Sequence, residues 1–181
     1  MIGITGQIGA GKSFVGQMLR ERGFSVLDAD LAVHELYRDN ADLRSAIAKE
    51  FGAETLTADG VNRKFIADLI FKDGGARVRL EALVYPTLTE YVMQQNPDFV
   101  EAALFENVPE LVKTLDGIWV VVASEETRFN RLVNQRGLSA EDARRRMDLQ
   151  SAKNDVETWK KLFPGKEIRF IENNDGSVPK I

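Results

Sequence analysis

A glycine-rich octet near the N-terminus carries the residue types needed to hold a chain of phosphates. Residues 6–13 read GQIGAGKS, which fits the pattern G-x-x-x-x-G-K-[ST] of the phosphate-binding loop, or P-loop. The glycines leave room for phosphate oxygens, and the loop amides, with the positive end of a helix starting near Lys12, would attract the anion. Lys12 would reach the β- and γ-phosphates, and the Ser13 hydroxyl would take one position around Mg²⁺. The octet therefore predicts a nucleotide-binding site.

The segments on either side of the octet favour this interpretation over a chance glycine-rich turn. The apolar run Met1–Ile4 precedes it as a predicted strand, and Val15, Met18 and Leu19 follow at helical spacing. A strand, a glycine loop and a helix in this order form the context that a phosphate-binding loop requires.

Two carboxylates follow the next predicted strand. Residues 24–27 form a short strand that leads into Asp28 and Asp30. In open α/β sheets functional groups collect at the carboxyl ends of strands, so we expect at least one of the two to act in catalysis or in the Mg²⁺ shell. Asp30 also suits the N-cap of a helix over residues 31–37, and one residue can fill both roles.

The segment from residue 31 to about residue 96 is predicted to be a helical insertion. It contains no convincing strand, its apolar residues recur at helical spacing, and we expect Tyr85-Pro86 to interrupt its last helix. Because the segment is too long for an ordinary crossover between strands, we expect it to form the acceptor side of a phosphotransferase cleft. Arg63 is equally compatible with a phosphate or carboxylate contact there and with a surface salt bridge.

Three further strands are expected. Residues 98–106 indicate a strand with Glu106 at its C-terminal end, which is the functional edge of a parallel sheet. Residues 117–122, GIWVVV, form the strongest strand pattern and suit a buried parallel position. Residues 165–171 are predicted to form the last strand, followed by Asn173 and a polar turn that includes Gly176.

Arginines are concentrated late in the chain. Between residues 128 and 146 the sequence contains Arg128, Arg131, Arg136, Arg144, Arg145 and Arg146. Phosphoryl transfer needs guanidinium groups on the transferring phosphate, often supplied by a closing lid, and we favour that interpretation. A solvated helix pair balanced by nearby acids is the alternative. Ser139 is predicted to cap the second helix of this region.

Composition excludes several classes of protein. A net charge of −4 and a pI near 5.2 argue against a general nucleic-acid binder. The lack of cysteine and the single histidine exclude disulfides, cysteine-ligated zinc and histidine-rich metal sites. Since the chain begins directly with the loop strand and has no apolar stretch of membrane-spanning length, we expect a soluble, cytoplasmic protein without a signal peptide or a membrane partner.

The whole chain resembles the dephospho-CoA kinase family through several motifs in the same order. GQIGAGKS resembles the family form G-G-I-G-S-G-K-S, and residues 26–30, VLDAD, resemble V-I-D-A-D. Asn62-Arg63, Tyr85-Pro86 and Leu104-Phe105-Glu106 resemble the family segments D-R, H-P and L-F-E. The late arginines with Gln150 resemble the family's lid pattern, and residues 171–174, IENN, resemble its segment near the adenine.

The resemblance implies an ATP- and Mg²⁺-dependent kinase that phosphorylates the ribose 3′-hydroxyl of dephospho-CoA, the last step of coenzyme A biosynthesis. It implies an α/β, three-layer P-loop NTPase fold with a five-stranded parallel sheet, a helical substrate-binding insertion and an arginine-rich helical lid. We expect one kinase domain with a core at residues 1–30, 97–133 and 165–181, an acceptor-binding insertion at about 31–96 and a lid at about 134–152.

The resemblance also implies roles for individual residues. Asp30 would be the general base for the acceptor hydroxyl, assisted in catalysis by Lys12 and Arg136. Mg²⁺ would be held by Ser13, with Asp28 as a candidate through water. The acceptor would be bound by Asp28, Arg63, Tyr85 and Glu106. The nucleotide would be bound by Gly9, Ala10, Gly11, Lys12, Ser13, Phe14 and Asn173.

Three departures from the family pattern bear on these roles. Phe14 replaces the usual threonine, which we interpret as a packing change directed away from the Mg²⁺ position. Tyr85 stands where the family has histidine, and His34 replaces a common arginine, so acceptor recognition is less defined than donor recognition. Two alternatives therefore stay open: a kinase of nucleosides or (deoxy)nucleoside monophosphates, and a nucleotide-binding regulatory module without turnover.

Overall fold

The centre of the molecule is a five-stranded sheet whose strands lie in the order β2 (Val26–Asp28), β5 (Phe99–Glu101), β1 (Ile2–Gly6), β6 (Gly117–Val122) and β7 (Glu167–Glu172). The computed structural model describes residues 1–150, 156–175 and 179–181. Strand β1 pairs in parallel with β5 and β6, and β6 pairs in parallel with β7, in a register that places Ile2 opposite both Phe99 and Gly117. The predicted α/β class and five-stranded parallel sheet are confirmed.

The three central strands, β5, β1 and β6, are largely buried, as expected of strands covered on both faces, whereas the edge strands β2 and β7 are more exposed. Side chains of β1, β5, β6 and β7 meet the first helix in one apolar cluster, which contains Ile4, Ala10, Val15, Leu19, Phe99, Val121 and Ile171. This cluster fixes the phosphate loop between β1 and the first helix.

The helices account for most of the remaining described residues. They are α1 Lys12–Glu21, α2 Ala29–Asp39, α3 Ala41–Phe51, α4 Arg63–Lys72, α5 Gly74–Gln95, α6 Pro109–Thr114, α7 Glu125–Asn134, α8 Ala140–Asp148 and α9 Val156–Leu162. Short 3₁₀ turns lie at Ala53–Thr55 and Phe105–Asn107. Within the described ranges, no helix is both long and apolar enough to span a bilayer.

The chain divides into two compact units. One consists of residues 1–27 and 97–181, and the other consists of residues 28–96. Residues 151 and 152, at the end of the predicted lid, and residues 176–178, in the predicted core and including Gly176, lie outside the described part of the chain.

The two strands that flank the 28–96 unit in sequence are joined by side-chain hydrogen bonds. The Asp98 carboxylate accepts hydrogen bonds from the backbone N–H and the hydroxyl of Ser25, at 2.8 and 2.7 Å, and the Ser25 hydroxyl accepts one from the Asp98 N–H. The first two of these bonds lower the pKa of Asp98, since they favour its charged form. Residues 73 positions apart are thereby held side by side.

The 28–96 unit differs from prediction in two places. The segment predicted to lack strands contains a small antiparallel hairpin, β3 Leu56–Thr57 and β4 Gly60–Val61. Helix α5 continues through Pro86 instead of being interrupted there. Its buried residues recur every four positions on both sides of the proline, so packing of one continuous stripe outweighs the lost backbone hydrogen bond. These residues are Ala76, Leu80, Val84, Leu88 and Val92.

The third strand predicted from sequence is also wrong in length. The strand expected at 98–106 is limited to Phe99–Glu101, and the chain then turns into the 3₁₀ segment Phe105–Asn107. Glu106 therefore lies in that turn and not at the end of the strand. The carboxylate at the carboxyl end of β5 belongs to Glu101.

Candidate functional site

The phosphate loop has the backbone geometry that its glycines predict. Gly9 and Gly11 have φ angles of 78° and 91°, in the left-handed region, and Gly11 is the N-cap of α1. A Cβ atom on Gly11 would lie 2.2 Å from Nδ2 of Asn173, so a larger residue would be excluded by contact as well as by backbone strain. The Lys12 ammonium donates a hydrogen bond to the Gly6 carbonyl at 3.2 Å, across the loop.

The side chains of Arg131 and Asn173, which come from other parts of the chain, donate hydrogen bonds to backbone carbonyls of the loop. Arg131, on α7, donates from Nη1 to the carbonyls of Gly9 and Ala10 at 3.3 and 3.2 Å, and from Nη2 to the Asn173 carbonyl at 2.9 Å. The Asn173 side chain is buried and donates to the Ala10 carbonyl at 2.8 Å. Asp175 accepts from Nη2 and Nε of Arg131 at 2.7 and 3.1 Å. We call Arg131, Asn173 and Asp175 the loop clamp.

Two of the late arginines lie against the phosphate loop, and the lid itself stays a prediction. Arg131 contacts the loop itself, and Arg128 is buried one turn earlier on the same helix, with its backbone against Gly9. Burial lowers the pKa of the Arg128 guanidinium, against a smaller opposing effect of Glu125. Neither arginine is a solvent-exposed lid residue. Arg136, which follows α7, is exposed and donates its backbone N–H to the Arg131 carbonyl at 3.2 Å.

The carboxylate of Glu101 lies beside Ser13, the residue predicted to bind Mg²⁺. The Ser13 hydroxyl donates a hydrogen bond to Oε1 of Glu101 at 2.7 Å, and Glu101 is only 5% exposed at the end of β5. Gly16 faces the other oxygen of this carboxylate, since a Cβ there would lie 3.0 Å from Oε2. Sequence reasoning missed Glu101 because it extended the strand to residue 106 and looked for the carboxylate there.

The start of the loop is fixed by the segment after α8. The Gln150 side-chain oxygen accepts a hydrogen bond from the Ile8 N–H at 2.7 Å, and the Gln150 backbone carbonyl accepts one from the Gln7 side chain at 3.1 Å. Gln150, which the sequence assigned to the lid pattern, thus contacts the phosphate loop. Ser139 caps α8 as predicted, accepting from the Asp142 N–H at 3.1 Å.

An open pocket of about 310 Å³ lies beside the loop. It is lined by Gly11, Phe14, Arg131, Gln135, Asn173, Asn174 and Asp175. The predicted packing role of Phe14 is wrong, because its side chain is 53% exposed and borders this pocket. The pocket brings together Gly11, Phe14 and Asn173, which were all predicted to bind nucleotide.

The 28–96 unit contains a separate pocket of about 410 Å³. Its lining combines an apolar wall with titratable groups and consists of Asp30, Val33, His34, Tyr37, Ile70, Arg77, Leu80, Glu81, Val84 and Tyr85. Two predicted site residues, Asp30 and Tyr85, therefore share one pocket. Arg77 donates to the Glu81 carboxylate at 2.9 Å, and this hydrogen bond raises the Arg77 pKa. Burial raises the pKa of Tyr37, partly offset by the nearby Arg63.

Asp28, and not Asp30, is the N-cap of α2. Its Oδ1 accepts hydrogen bonds from the N–H groups of Asp30 and Leu31 at 2.9 and 3.1 Å, and the helix begins at Ala29. The capping role that sequence reasoning considered for Asp30 is therefore wrong. Asp30 is exposed in the first turn of the helix, where its carboxylate borders the pocket.

Arg63 and Glu106 lie outside the two pockets just described. Arg63 is the exposed first residue of α4, whose N-cap is Asn62, which accepts from the Phe65 N–H at 3.2 Å. Glu106 is half-buried in its 3₁₀ turn.

Comparison with known proteins defines the family. The family model described as dephospho-CoA kinase matches residues 1–163. The chain belongs to this family. It is 33% identical over 157 residues to the dephospho-CoA kinase of Staphylococcus aureus, covering 81% of this chain and 75% of that protein. It is also 33% identical to the dephospho-CoA kinase of Staphylococcus epidermidis, with coverage of 81% and 76%.

Solved structures share the fold of this chain. The crystal structure of TT1252 from Thermus thermophilus is 29% identical with a TM-score of 0.72, covering 97% of this chain and 88% of that one. Dephospho-CoA kinase from Campylobacter jejuni is 22% identical with a TM-score of 0.63 and the same coverage. Shikimate kinase from Acinetobacter baumannii, at 20% identity and a TM-score of 0.51, shares the fold over 97% of this chain and 84% of its own. The family is one of phosphotransferases that act on a hydroxyl group, and the predicted P-loop kinase fold is confirmed.

Proposed function

We propose that this protein transfers the γ-phosphate of ATP to the ribose 3′-hydroxyl of dephospho-CoA and so produces coenzyme A. The observation that carries the proposal is the phosphate loop of residues 6–13, in a chain that matches the dephospho-CoA kinase family over residues 1–163. Family membership supports the acceptor, and the loop geometry supports a nucleoside triphosphate as donor.

On the donor side, the loop amides and Lys12 would bind the β- and γ-phosphates. Gly9, Gly11 and Asn173 support this role because they shape the loop and its adjoining pocket. The backbone of Ala10 and Phe14 would complete the set, and the loop clamp would keep the carbonyls of the loop turned away from the anion. Arg136 is exposed and would add positive charge to the transferring phosphoryl group when the lid closes.

Mg²⁺ fits the residues present beside the loop. The Ser13 hydroxyl and the Glu101 carboxylate offer hard oxygen donors 2.7 Å apart, at the end of the strand next to β1, where P-loop enzymes carry their metal-binding carboxylate. Across residues 1–150, 156–175 and 179–181, no group of three His, Cys, Asp or Glu side chains is arranged to hold an ion. That agrees with a Mg²⁺ ion held by few protein ligands and by substrate phosphates. Mg²⁺ would bridge and neutralise phosphate oxygens, and Asp28 would contribute through water.

On the acceptor side, the 410 Å³ pocket of the 28–96 unit would receive dephospho-CoA. Asp30 would accept the proton of the 3′-hydroxyl as its oxygen attacks the γ-phosphorus and ADP leaves. Tyr85, in the same pocket, would contact the acceptor, and Arg63 with Glu106 would complete the acceptor-binding residues. The exposed carboxylate of Asp30 at the pocket edge supports its assignment as the base.

An acceptor panel tests the proposal. With Mg-ATP, we expect ADP formation with dephospho-CoA and little with nucleosides or deoxynucleoside monophosphates. Asp30→Asn should bind ATP nearly normally and lose turnover by about 10²–10⁴-fold, the usual contribution of a general base. Asp68→Asn, an exposed carboxylate change on α4, is the matched control and should retain activity. A preference for a deoxynucleoside monophosphate would overturn the proposed acceptor. Full activity of Asp30→Asn would overturn the assignment of Asp30 as the general base.

A further inference from the structure

Phe14 is an exposed aromatic residue on the helix that follows the phosphate loop. It comes directly after Ser13 and its side chain is 53% exposed, whereas Val15 and Leu19 of the same helix are at most 2% exposed. Core packing therefore accounts for Val15 and Leu19 but not for Phe14. An exposed aromatic side chain beside a ligand-sized pocket suggests a contact with the ligand.

The pocket that Phe14 borders has the size and the placement of a site for the rest of a nucleotide. Its volume of about 310 Å³ lies at the lower end of the range of small-molecule sites, about 300–1,000 Å³. It includes Gly11, the N-cap of α1, so it opens at the point where a bound phosphate chain would leave the loop. A base and sugar attached to those phosphates would enter this pocket.

Four of the five polar side chains named in the lining of this pocket are engaged in holding the protein together, and the fifth, Gln135, is exposed. The Asn173 amide donates to the Ala10 carbonyl at 2.8 Å, and Oδ1 of Asn174 accepts from the Ser124 N–H at 2.8 Å. Arg131 donates to loop carbonyls and to Asp175. Recognition of a base edge by these groups would compete with contacts that shape the loop. The ring of Phe14 offers the pocket an apolar face without such a cost.

We infer that Phe14 is the stacking face for the nucleobase of the phosphoryl donor and that it sets the donor preference of this enzyme. The inference rests on the proposed function, in which a nucleoside triphosphate occupies the loop. Stacking depends on the area of the base and tolerates differences at its edge, so purine donors bind more tightly than pyrimidine donors, and GTP is accepted nearly as well as ATP. Stacking on one aromatic ring accounts for about five- to a hundred-fold in affinity.

The test compares ligands with and without a base. Isothermal titration calorimetry with the full chain measures the Kd of Mg-ATP, Mg-GTP, Mg-CTP and Mg-tripolyphosphate for wild type, Phe14→Leu and Phe14→Tyr. We expect Phe14→Leu to weaken ATP and GTP by about five- to a hundred-fold and to change tripolyphosphate by less than two-fold. Phe14→Tyr should restore purine binding. Phe71→Leu changes another exposed ring, 91% exposed and outside this pocket, and should bind all four ligands like wild type.

Two results would overturn the inference. Equal weakening of ATP and tripolyphosphate in Phe14→Leu would show that Phe14 acts on the loop, and unchanged ATP binding would show that it does not contact the base. Failure of the proposed function is seen separately. If wild type binds ATP but transfers no phosphate to dephospho-CoA, the acceptor is wrong, while the dependence of ATP binding on Phe14 still decides the stacking role.

Discussion

Replacing Arg131 tests whether the loop clamp builds the nucleotide site. Arg131→Met retains most of the apolar stem and removes every guanidinium hydrogen bond. The two bonds from Nη1 to the Gly9 and Ala10 carbonyls are 3.3 and 3.2 Å long and share one nitrogen, so we count them as one, and the 2.9 Å bond to the Asn173 carbonyl is a second. Hydrogen bonds to a charged group contribute about 1.5–3 kcal/mol each, which gives a loss of about 3–6 kcal/mol in the free energy of unfolding.

The ion pair with Asp175 should contribute little to this value. The Asp175 side chain is 59% exposed, and pairs of that kind contribute under about 1 kcal/mol. Asp175→Asn is therefore the matched control for Arg131→Met, since it removes the ion pair and leaves the loop carbonyls bonded. Arg131→Lys should fall between the two, because lysine keeps the charge but lacks the planar fork that reaches several carbonyls.

Urea denaturation and calorimetric titration with Mg-ATP measure the two effects. We expect Arg131→Met to lower the free energy of unfolding by about 3–6 kcal/mol and to weaken Mg-ATP binding by about ten-fold or more, because freed carbonyls would turn toward the phosphates. Asp175→Asn should leave Mg-ATP binding within about two-fold of wild type. The reasoning is refuted if Asp175→Asn costs as much stability as Arg131→Met, or if Arg131→Met binds Mg-ATP like wild type.

Two further predictions concern carboxylates. Glu101→Gln removes a charged oxygen beside Ser13. It should therefore raise the Mg²⁺ concentration needed for half-maximal turnover by about ten-fold or more, with little change in stability toward urea. An unchanged Mg²⁺ requirement would contradict the role of Glu101 in binding the ion. The pKa of Asp98 is lowered in the folded state by its bonds to Ser25, so its stabilisation is present above the unfolded pKa of about 3.9 and is lost as pH falls through the folded pKa. Urea denaturation between pH 6 and pH 2 should therefore show a shallower acid loss for Asp98→Asn than for wild type, and parallel curves would exclude this contribution.

The parts of the fold that sequence predicted well depend on local patterns. The glycines and Lys12 of the phosphate loop are fixed in spacing by the shape of the loop itself, and the run at 117–122 has the continuous apolar pattern of a buried parallel strand. The Ser139 cap likewise needs only the residues of its own helix. In each case a segment of about ten residues contains the information.

The parts that sequence reasoning missed depend on partners far along the chain. The pairing of Ser13 with Glu101 joins residues 88 positions apart, and the bonds from Arg131 to the loop span more than 120 positions. Nothing near Arg131 distinguishes it from Arg136, which stays exposed. Phe14 was interpreted as a packing change because its side chain was expected to point away from the Mg²⁺ position, and only its exposure beside the open pocket shows otherwise.

Pro86 illustrates how tertiary packing overrides a local signal. Proline removes a backbone donor and normally ends a helix, yet α5 runs through it for 22 residues in total. Hydroxyls of Thr87 and Thr89 donate to the carbonyls of Leu83 and Tyr85, four residues earlier, at 3.0 and 2.9 Å, in the turns beside the proline. The sequence shows the proline and the apolar stripe, but it does not show that packing of the stripe outweighs the cost of the proline.

The bonds between Ser25 and Asp98 join the two ends of the 28–96 unit, so this unit could be exchanged as one piece. The chain enters and leaves the 28–96 unit at neighbouring strands, where these bonds hold it. The entropy of closing a loop rises only slowly with its length, so changes in the length of this unit should have little effect on the stability of the rest of the chain. Under the proposed function, exchange of this unit between related kinases would change the acceptor that is phosphorylated and leave the phosphate loop intact. A graft at positions 27 and 97 is the natural junction for building such chimaeras.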